Sequence, residues 1–427
     1  MVQSPRSLGR SESPRLPSFI ESRVERYTER VTDVWGGRHL FHQEACAPGS
    51  VALHTNDYLQ LSCHPEVVSA RRDAVDLCRD PSVMSAVFLA DSSPQRTLET
   101  ELARFMGSED AVLCQSGWAA NVGLLQAIAG PETPVYLDFF AHMSLREGAE
   151  CANAPIHSFR HNDLRHLDRC ISRHGPGIIA VDSLYSTLGT LCPLTELARL
   201  AEKRRCVLIV DESHTLGTHG PQGAGLVADL DLGSAVLFRT SSLSKTFGAR
   251  GGCIACPESF VDYFRLESRI AIFSSAVHSY EAWAFLRTLQ VLRESDEARA
   301  VLRENAAALR RGLAAHGYPV GAGTEQIIAL ETGSEHRTLH VRDVLAERGI
   351  QAAPFLPPAT PANRCLLRMT VTSGLNADDV ARVIDVFGAI RDEVNLPGWT
   401  TRRRRRGLSA PRPRLQTTPL TGSLRYL

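Results

Sequence analysis

The chain has 427 residues, 43% hydrophobic and 22% charged, enough to bury a substantial core over two or three domains. Formal net charge is zero, yet residues 401–427 hold eight arginines (402–406, 412, 414 and 425) and no acid, so the first 400 residues carry eight more acids than bases. No run of about 18 apolar residues occurs, which excludes a membrane span, and a basic tail without any helix-turn-helix segment argues against nucleic acid as the partner.

Residues 1–16 are polar and rich in Ser, Pro and Arg, so they are expected to be disordered. They lack the apolar core of a signal peptide, and the expected location is cytoplasmic. Residues 17–60 read as a helical and extended N-terminal segment. Its helix, from Pro17 to Asp33, sets Phe19, Ile20, Val24, Tyr27 and Val31 on one side. Pro17 suits a helix start, where its missing N–H costs nothing.

From about 100 to 256, helical segments alternate with short apolar runs: 111–114, 135–137, 177–181, 206–210 and 235–238. This pattern predicts an α/β fold, with a mainly parallel sheet flanked by helices, in a large domain over 61–278. A long helix over 279–316 leads into strands near 326–331 and 365–371 and helices over 337–348 and 376–394. These make a smaller α+β domain over 279–395, followed by a basic, disordered tail from 396 to 427. Eleven cysteines are scattered singly, which fits a reducing compartment. Cys253 and Cys256 read as buried thiols in a strand, since no second ligand pair with metal spacing follows; no metal site is expected.

Lysine is nearly absent. Of 47 basic residues only Lys203 and Lys245 are lysines. A chain that has exchanged the others for arginine keeps the remainder for chemistry arginine cannot perform, above all Schiff-base formation. Lys203 sits at the charged end of a helical segment, in Glu202-Lys203-Arg204-Arg205, and belongs on a solvated face. Lys245 lies in the hydroxyl- and glycine-rich stretch from Thr240 to Gly252, surroundings that suit an aldehyde cofactor bearing a phosphate.

Ligands of such sheets collect at the carboxyl ends of the strands. After 111–114 comes Ser116-Gly117-Trp118 at a helix start, either a phosphate cradle or a simple cap. After 135–137 comes His142, either a ring that stacks on a heteroaromatic or a core histidine. After 177–181 comes Ser186, either a donor to a phenolic oxygen or a turn residue. After 206–210 come Asp211, able to pair with a pyridine nitrogen or to cap a helix, and His214, in reach of a ring hydroxyl. Asp211 and Lys245 follow successive runs, so both can approach one ring from different sides.

Asp211-Glu-Ser-His214 and Ser-Leu-Ser-Lys245, with Asn56-Asp57-Tyr58-Leu59, resemble the α-oxoamine synthases, pyridoxal-phosphate enzymes of fold type I. The resemblance covers about 17–395. Within that family, the segments 116–126, 138–148 and 173–190 look closest to the CAI-1-type autoinducer synthases. The resemblance implies that Lys245 holds the cofactor aldehyde and shuttles protons, and that Asp211 pairs with the ring nitrogen. It places His214 and Ser186 on the ring hydroxyl and His142 on the ring face. Ser116, Gly117, Trp118 and Ser242 would cradle the phosphate, with Ser274 and Ser275 reaching the phosphate of a neighbouring subunit, which implies a homodimer. Arg368 would grip an amino-acid carboxylate, with Asn56 nearby.

The implied reaction is a decarboxylating condensation of a medium-chain acyl-CoA with S-adenosylmethionine or 2-aminobutyrate, giving an α-aminoketone precursor of a quorum-sensing signal. Sister synthases use glycine, alanine or serine. Outside that class stand an aminotransferase and a non-catalytic regulator whose basic tail touches DNA. Phe88, Trp118 and Phe355 fit either an acyl tunnel or core packing.

Overall fold

The computed structural model describes residues 15–38, 48–78 and 81–399; residues 1–14 and the arginine run 402–406 lie outside them. Eleven strands form two sheets: β1 (Val51–Leu53), β2 (Asp110–Cys114), β3 (Val135–Asp138), β4 (Ile156–Phe159), β5 (Ile178–Asp182), β6 (Val207–Asp211), β7 (Phe238–Ser242), β8 (Gly252–Cys256), β9 (Ile327–Gly333), β10 (Ile350–Phe355) and β11 (Cys365–Thr370). The larger sheet has the order β2-β8-β7-β6-β5-β3-β4. It is parallel from β7 to β4, while β8 runs antiparallel to both β2 and β7. Helices cover both faces, so β2, β3, β5 and β8 are buried along their whole length and carry unbroken apolar runs.

Register decides where the chemistry collects. Asp182 on β5 pairs with Asp211 on β6, and Asp211 pairs with Thr240 on β7. The polar ends of three neighbouring strands therefore align at one edge.

The strand expected over 235–238 begins only at Phe238 and runs to Ser242. Ala235 is instead tied into a turn by a hydrogen bond to Leu232. The strand tolerates polar residues because each has a buried partner: Arg239 donates to Glu212, and Thr240 donates to Asn121. The helix expected over 279–316 is two helices, Ser279–Arg293 and Asp296–Ala315. Buried Arg299 turns back onto the C-terminal carbonyls of Leu292 and Arg293 and so stabilises the break.

The smaller sheet has the order β1-β10-β11-β9, with β1 parallel to β10 and the other pairs antiparallel. Strand β1 comes from the N-terminal segment, so residues 51–53 pair with residues 350–352. The N-terminal helix spans Ser18–Glu29 and buries none of its residues; beyond it a π-helical turn, Arg30–Val34, buries Val31. Arg30 and the Trp35 indole N–H both bind the Glu335 carboxylate and anchor this end. The expected start of the tail is 396, but Leu396 and Trp399 are buried and Trp399 packs on Tyr318, while residues 400–427 lie outside the described residues.

Candidate active site

A cavity of about 210 Å³ opens at the aligned strand ends, lined by Ser116, Gly117, Trp118, Asn121, His142, Asp182, Asp211, Ser213, His214, Ser242, Ser244 and Lys245. A larger groove of about 710 Å³, bordered by Glu66, Asp73, Trp283 and Arg287, holds neither lysine nor histidine.

Ser116 caps the helix Gly117–Ile128, its Oγ accepting from the Ala119 N–H at 3.1 Å. Helix geometry leaves the first amides of that turn without intrahelical acceptors. Position 117 must be glycine because a Cβ there would stand 2.5 Å from the Ser242 Cβ. The helix start, Ser242 and Ser244 thus close on one another, with the two serine hydroxyls 2.7 Å apart. Ser213 Oγ accepts the Ser242 amide at 2.8 Å and locks the end of β7.

Asp211 is buried and multiply held: Asn121 Nδ2 donates to Oδ2 at 2.6 Å and the Ser213 amide donates to Oδ1 at 2.8 Å. Behind it, the carboxylate of fully buried Glu212 accepts from Arg239 and from the Val227 amide, which pins the strand end. Asp182 takes the His142 amide on Oδ1 at 2.9 Å. Burial, and then the charge of Asp211, push the Asp182 carboxyl well above the usual range.

Lys245 has its pKa lowered, first by burial and then by the Arg368 guanidinium, with Asp211 opposing. That is the direction that frees an amine for nucleophilic attack. Lys203 is exposed at the end of the helix Leu194–Arg204.

His214 is driven well below its ordinary pKa by burial, with Lys245, Arg368 and His142 adding to the effect. Its Nδ1 lies 2.5 Å from the Tyr58 hydroxyl. Burial raises Tyr58 to about 12, so the phenol keeps its proton; Arg368 donates to its oxygen, which turns that proton to His214 Nδ1. Tyr58 thereby leaves His214 with its proton on Nε2.

Asn56 and Arg368 stand together beyond the cavity lining, Arg368 donating to Asn56 Oδ1 at 3.0 Å and lying 5.3 Å over the Phe355 ring. Ser186 sits in the turn after β5, outside the lining. Ser274 and Ser275 follow the short helix Arg269–Ile272, and Gln115 donates to the Ser275 carbonyl at 2.7 Å. Neither lines this chain's own cavity. Phe88 and Trp118 are exposed, so neither is core packing. Cys253 and Cys256 are buried in β8 in separate apolar clusters, on the two sides of the sheet.

Sequence reasoning quoted Tyr58, Asn121, Asp182 and Ser213 within its motifs and segments but gave none of them a role. Asp182 carried a readable signal, since it closes the apolar run of β5 as Asp211 closes that of β6.

Residues 48–387 match the family model of aminotransferase class I and II. The chain belongs to that family. Among its curated relatives, a CAI-1 autoinducer synthase of Vibrio campbellii is 44% identical over 91% of this chain and 98% of that protein. An 8-amino-7-oxononanoate synthase of Methylococcus capsulatus is 33% identical over 78% of this chain and 87% of that one. A solved serine palmitoyltransferase with pyridoxal phosphate shares 25% identity, superposes with a TM-score of 0.82, and matches 89% of this chain and 99% of its own. The family's fold, an α/β sheet flanked by helices, is the one described above. Among the described residues no helix is long and apolar enough to cross a membrane.

Proposed function

We propose that this chain is a pyridoxal-phosphate-dependent acyltransferase that condenses a medium-chain acyl-CoA with S-adenosylmethionine or 2-aminobutyrate, releasing CoA and carbon dioxide and leaving an α-aminoketone. The product class is a quorum-sensing signal precursor. The observation that carries this reading is the cavity itself. One amine biased toward its neutral form, one hydrogen-bonded carboxylate at a strand end and one helix start closed by serines converge in a space that also borders two histidines. The likeness to the Vibrio autoinducer synthase over nearly its full length supports this choice of substrates.

These residues fit pyridoxal phosphate. The helix start with Ser116, Gly117, Trp118 and Ser242 would hold its phosphate, Asp211 its ring nitrogen, His214 and Ser186 its ring hydroxyl, His142 its face and Lys245 its aldehyde. When bound, the cofactor supplies a ring that accepts electron density from the amino acid's α-carbon. Asp211, held by Asn121 and the Ser213 amide, would be fixed in position to meet the ring nitrogen. Arg368 presents a planar fork to the donor carboxylate, and among the described residues no acid is paired with it. Lys245 takes the α-proton and returns it, because burial and Arg368 lower its affinity for that proton.

A second copy of the chain completes the site in this reading. Phe273 is 82% exposed beside Ser274 and Ser275, and Phe88 and Phe139 are also exposed. The setting is cytoplasmic.

The test is mass spectrometry of products from the cofactor-loaded protein, decanoyl-CoA and each donor in turn. An α-aminoketone from S-adenosylmethionine or 2-aminobutyrate in preference to glycine, alanine and serine supports the proposal. Preference for those three makes the chain a sister synthase. Amino-group transfer without acyl product makes it an aminotransferase, and salt-dependent DNA binding lost with residues 400–427 makes it a regulator.

A further inference from the structure

Asn121 sits on the first turns of the helix Gly117–Ile128, almost fully buried, with every polar hydrogen committed. One Nδ2 hydrogen goes to Asp211 Oδ2 at 2.6 Å and the other to Ser144 Oγ at 2.9 Å, while Oδ1 accepts from Thr240 at 2.6 Å. The amide cannot be reversed, because that would set its carbonyl oxygen against the Asp211 carboxylate. Ser144 is fully buried and accepts one bond from Asn121, which leaves its proton to be placed. Its own proton is therefore available to His142 Nδ1, 2.7 Å away, and the Ser144 backbone N–H points to the same nitrogen at 3.4 Å. The backbone N–H can only donate, so Nδ1 is the acceptor, the Ser144 hydroxyl donates to it as well, and the ring proton lies on the other nitrogen.

We propose that Asn121 and Ser144 are positioning residues that hold His142 in the tautomer with its proton on Nε2. Nε2 has no partner among the described residues, while the ring borders the cavity and stands edge-on to Trp118 at 6.0 Å. The relay thus leaves one N–H directed to whatever enters, and an acyl oxygen of the substrate is the acceptor it would take. Burial lowers the pKa of His142, which keeps Nδ1 from gaining a proton of its own near neutral pH. The assignment to an acyl oxygen rests on the function proposed above; the tautomer does not. The same amide also aims Asp211, so one side chain couples the acid at the strand end to the histidine of the neighbouring loop.

The experiment is a long-range proton–nitrogen correlation spectrum of the full chain loaded with pyridoxal phosphate and labelled with nitrogen-15 in histidine, with His142 assigned through His142→Gln. The wild type is expected to show a protonated Nε2 and a hydrogen-bonded, unprotonated Nδ1. In Asn121→Asp the new acid shares one proton with Asp211 and its oxygen accepts from Ser144, so Ser144 Oγ turns its lone pair to the ring and the proton moves to Nδ1. In Ser144→Ala the hydroxyl is gone and the Nδ1 signal shifts toward that of a free nitrogen, whereas Ser144→Thr retains the wild-type signal. Should Asn121→Asp fail to fold, the two Ser144 variants carry the test. A wild-type proton on Nδ1, or a His142 spectrum unmoved in Ser144→Ala, overturns the proposal. The readout needs no substrate, so a failed product assay leaves it standing, and a failed relay leaves the proposed reaction untouched.

Discussion

Replacing Arg368 by methionine is expected to stabilise the substrate-free protein while disabling it. Arg368 is 6% exposed in the middle of β11. Its guanidinium has Asn56 and Tyr58 as polar partners, its Nε has none, and no carboxylate forms an ion pair with it among the described residues. Removing an ion from water costs several kcal/mol, and nothing of opposite charge offsets that cost here. An apolar side chain of similar length therefore gains on the order of 1 to 3 kcal/mol of stability. The same change removes the fork for the donor carboxylate and weakens donor binding by about 2 to 5 kcal/mol, roughly 30- to 5,000-fold in Kd. It also lifts one of the two influences that depress Lys245, so the pKa of the lysine rises. Denaturant unfolding without substrate and spectral titration with S-adenosylmethionine and with 2-aminobutyrate read the two effects separately. A variant less stable than the wild type refutes the charge argument, and one that binds donors as tightly removes Arg368 from the site.

Lys245→Ala should abolish turnover and the cofactor's visible absorbance, while Lys203→Ala, altering an exposed helix end, should leave both intact; the reverse pattern would displace the site. Arg239→Met strands the fully buried Glu212 carboxylate and should cost about 3 to 5 kcal/mol by denaturant unfolding, and a loss under 1 kcal/mol would show that Glu212 finds other support. His142, His157 and His214 all have lowered pKa values in the folded state, so the unfolded chain binds more protons in the window below its ordinary value of about 6.5. Stability should therefore be intact above about pH 6.5 and fall as the pH drops below it, with the fall reduced in His214→Phe when unfolding midpoints are compared from pH 8 to pH 5.

Much of this site was legible because parallel strands advertise their ends: an apolar run followed by a polar residue led to Ser116, His142, Asp211 and the neighbourhood of Lys245. Reading failed where apolarity and strand parted company. The run 235–238 drew the strand too early, because Arg239 and Thr240 are polar and their partners lie far away in sequence. Strand β10 went unseen because Ile350-Gln-Ala-Ala-Pro-Phe355 neither alternates nor forms an apolar run, and Pro354 argues against a strand. Asn121 reaches Asp211 and Tyr58 reaches His214 across 90 and 156 positions, so no local pattern shows what either side chain does.

The pairing of residues 51–53 with residues 350–352 has a bearing on how the protein is made. The stretch that follows β1 delivers Asn56 and Tyr58, yet its docking strand is translated some three hundred residues later. On the ribosome, Lys245 and the strand ends around Asp211 emerge well before the segment that sets His214 can be seated. The half-made chain therefore has the lining of the cavity in hand but not the tyrosine that orients His214, nor Asn56 beside Arg368. Contacts this distant in sequence are also slow to form, so acquisition of full cofactor affinity should trail folding of the larger sheet.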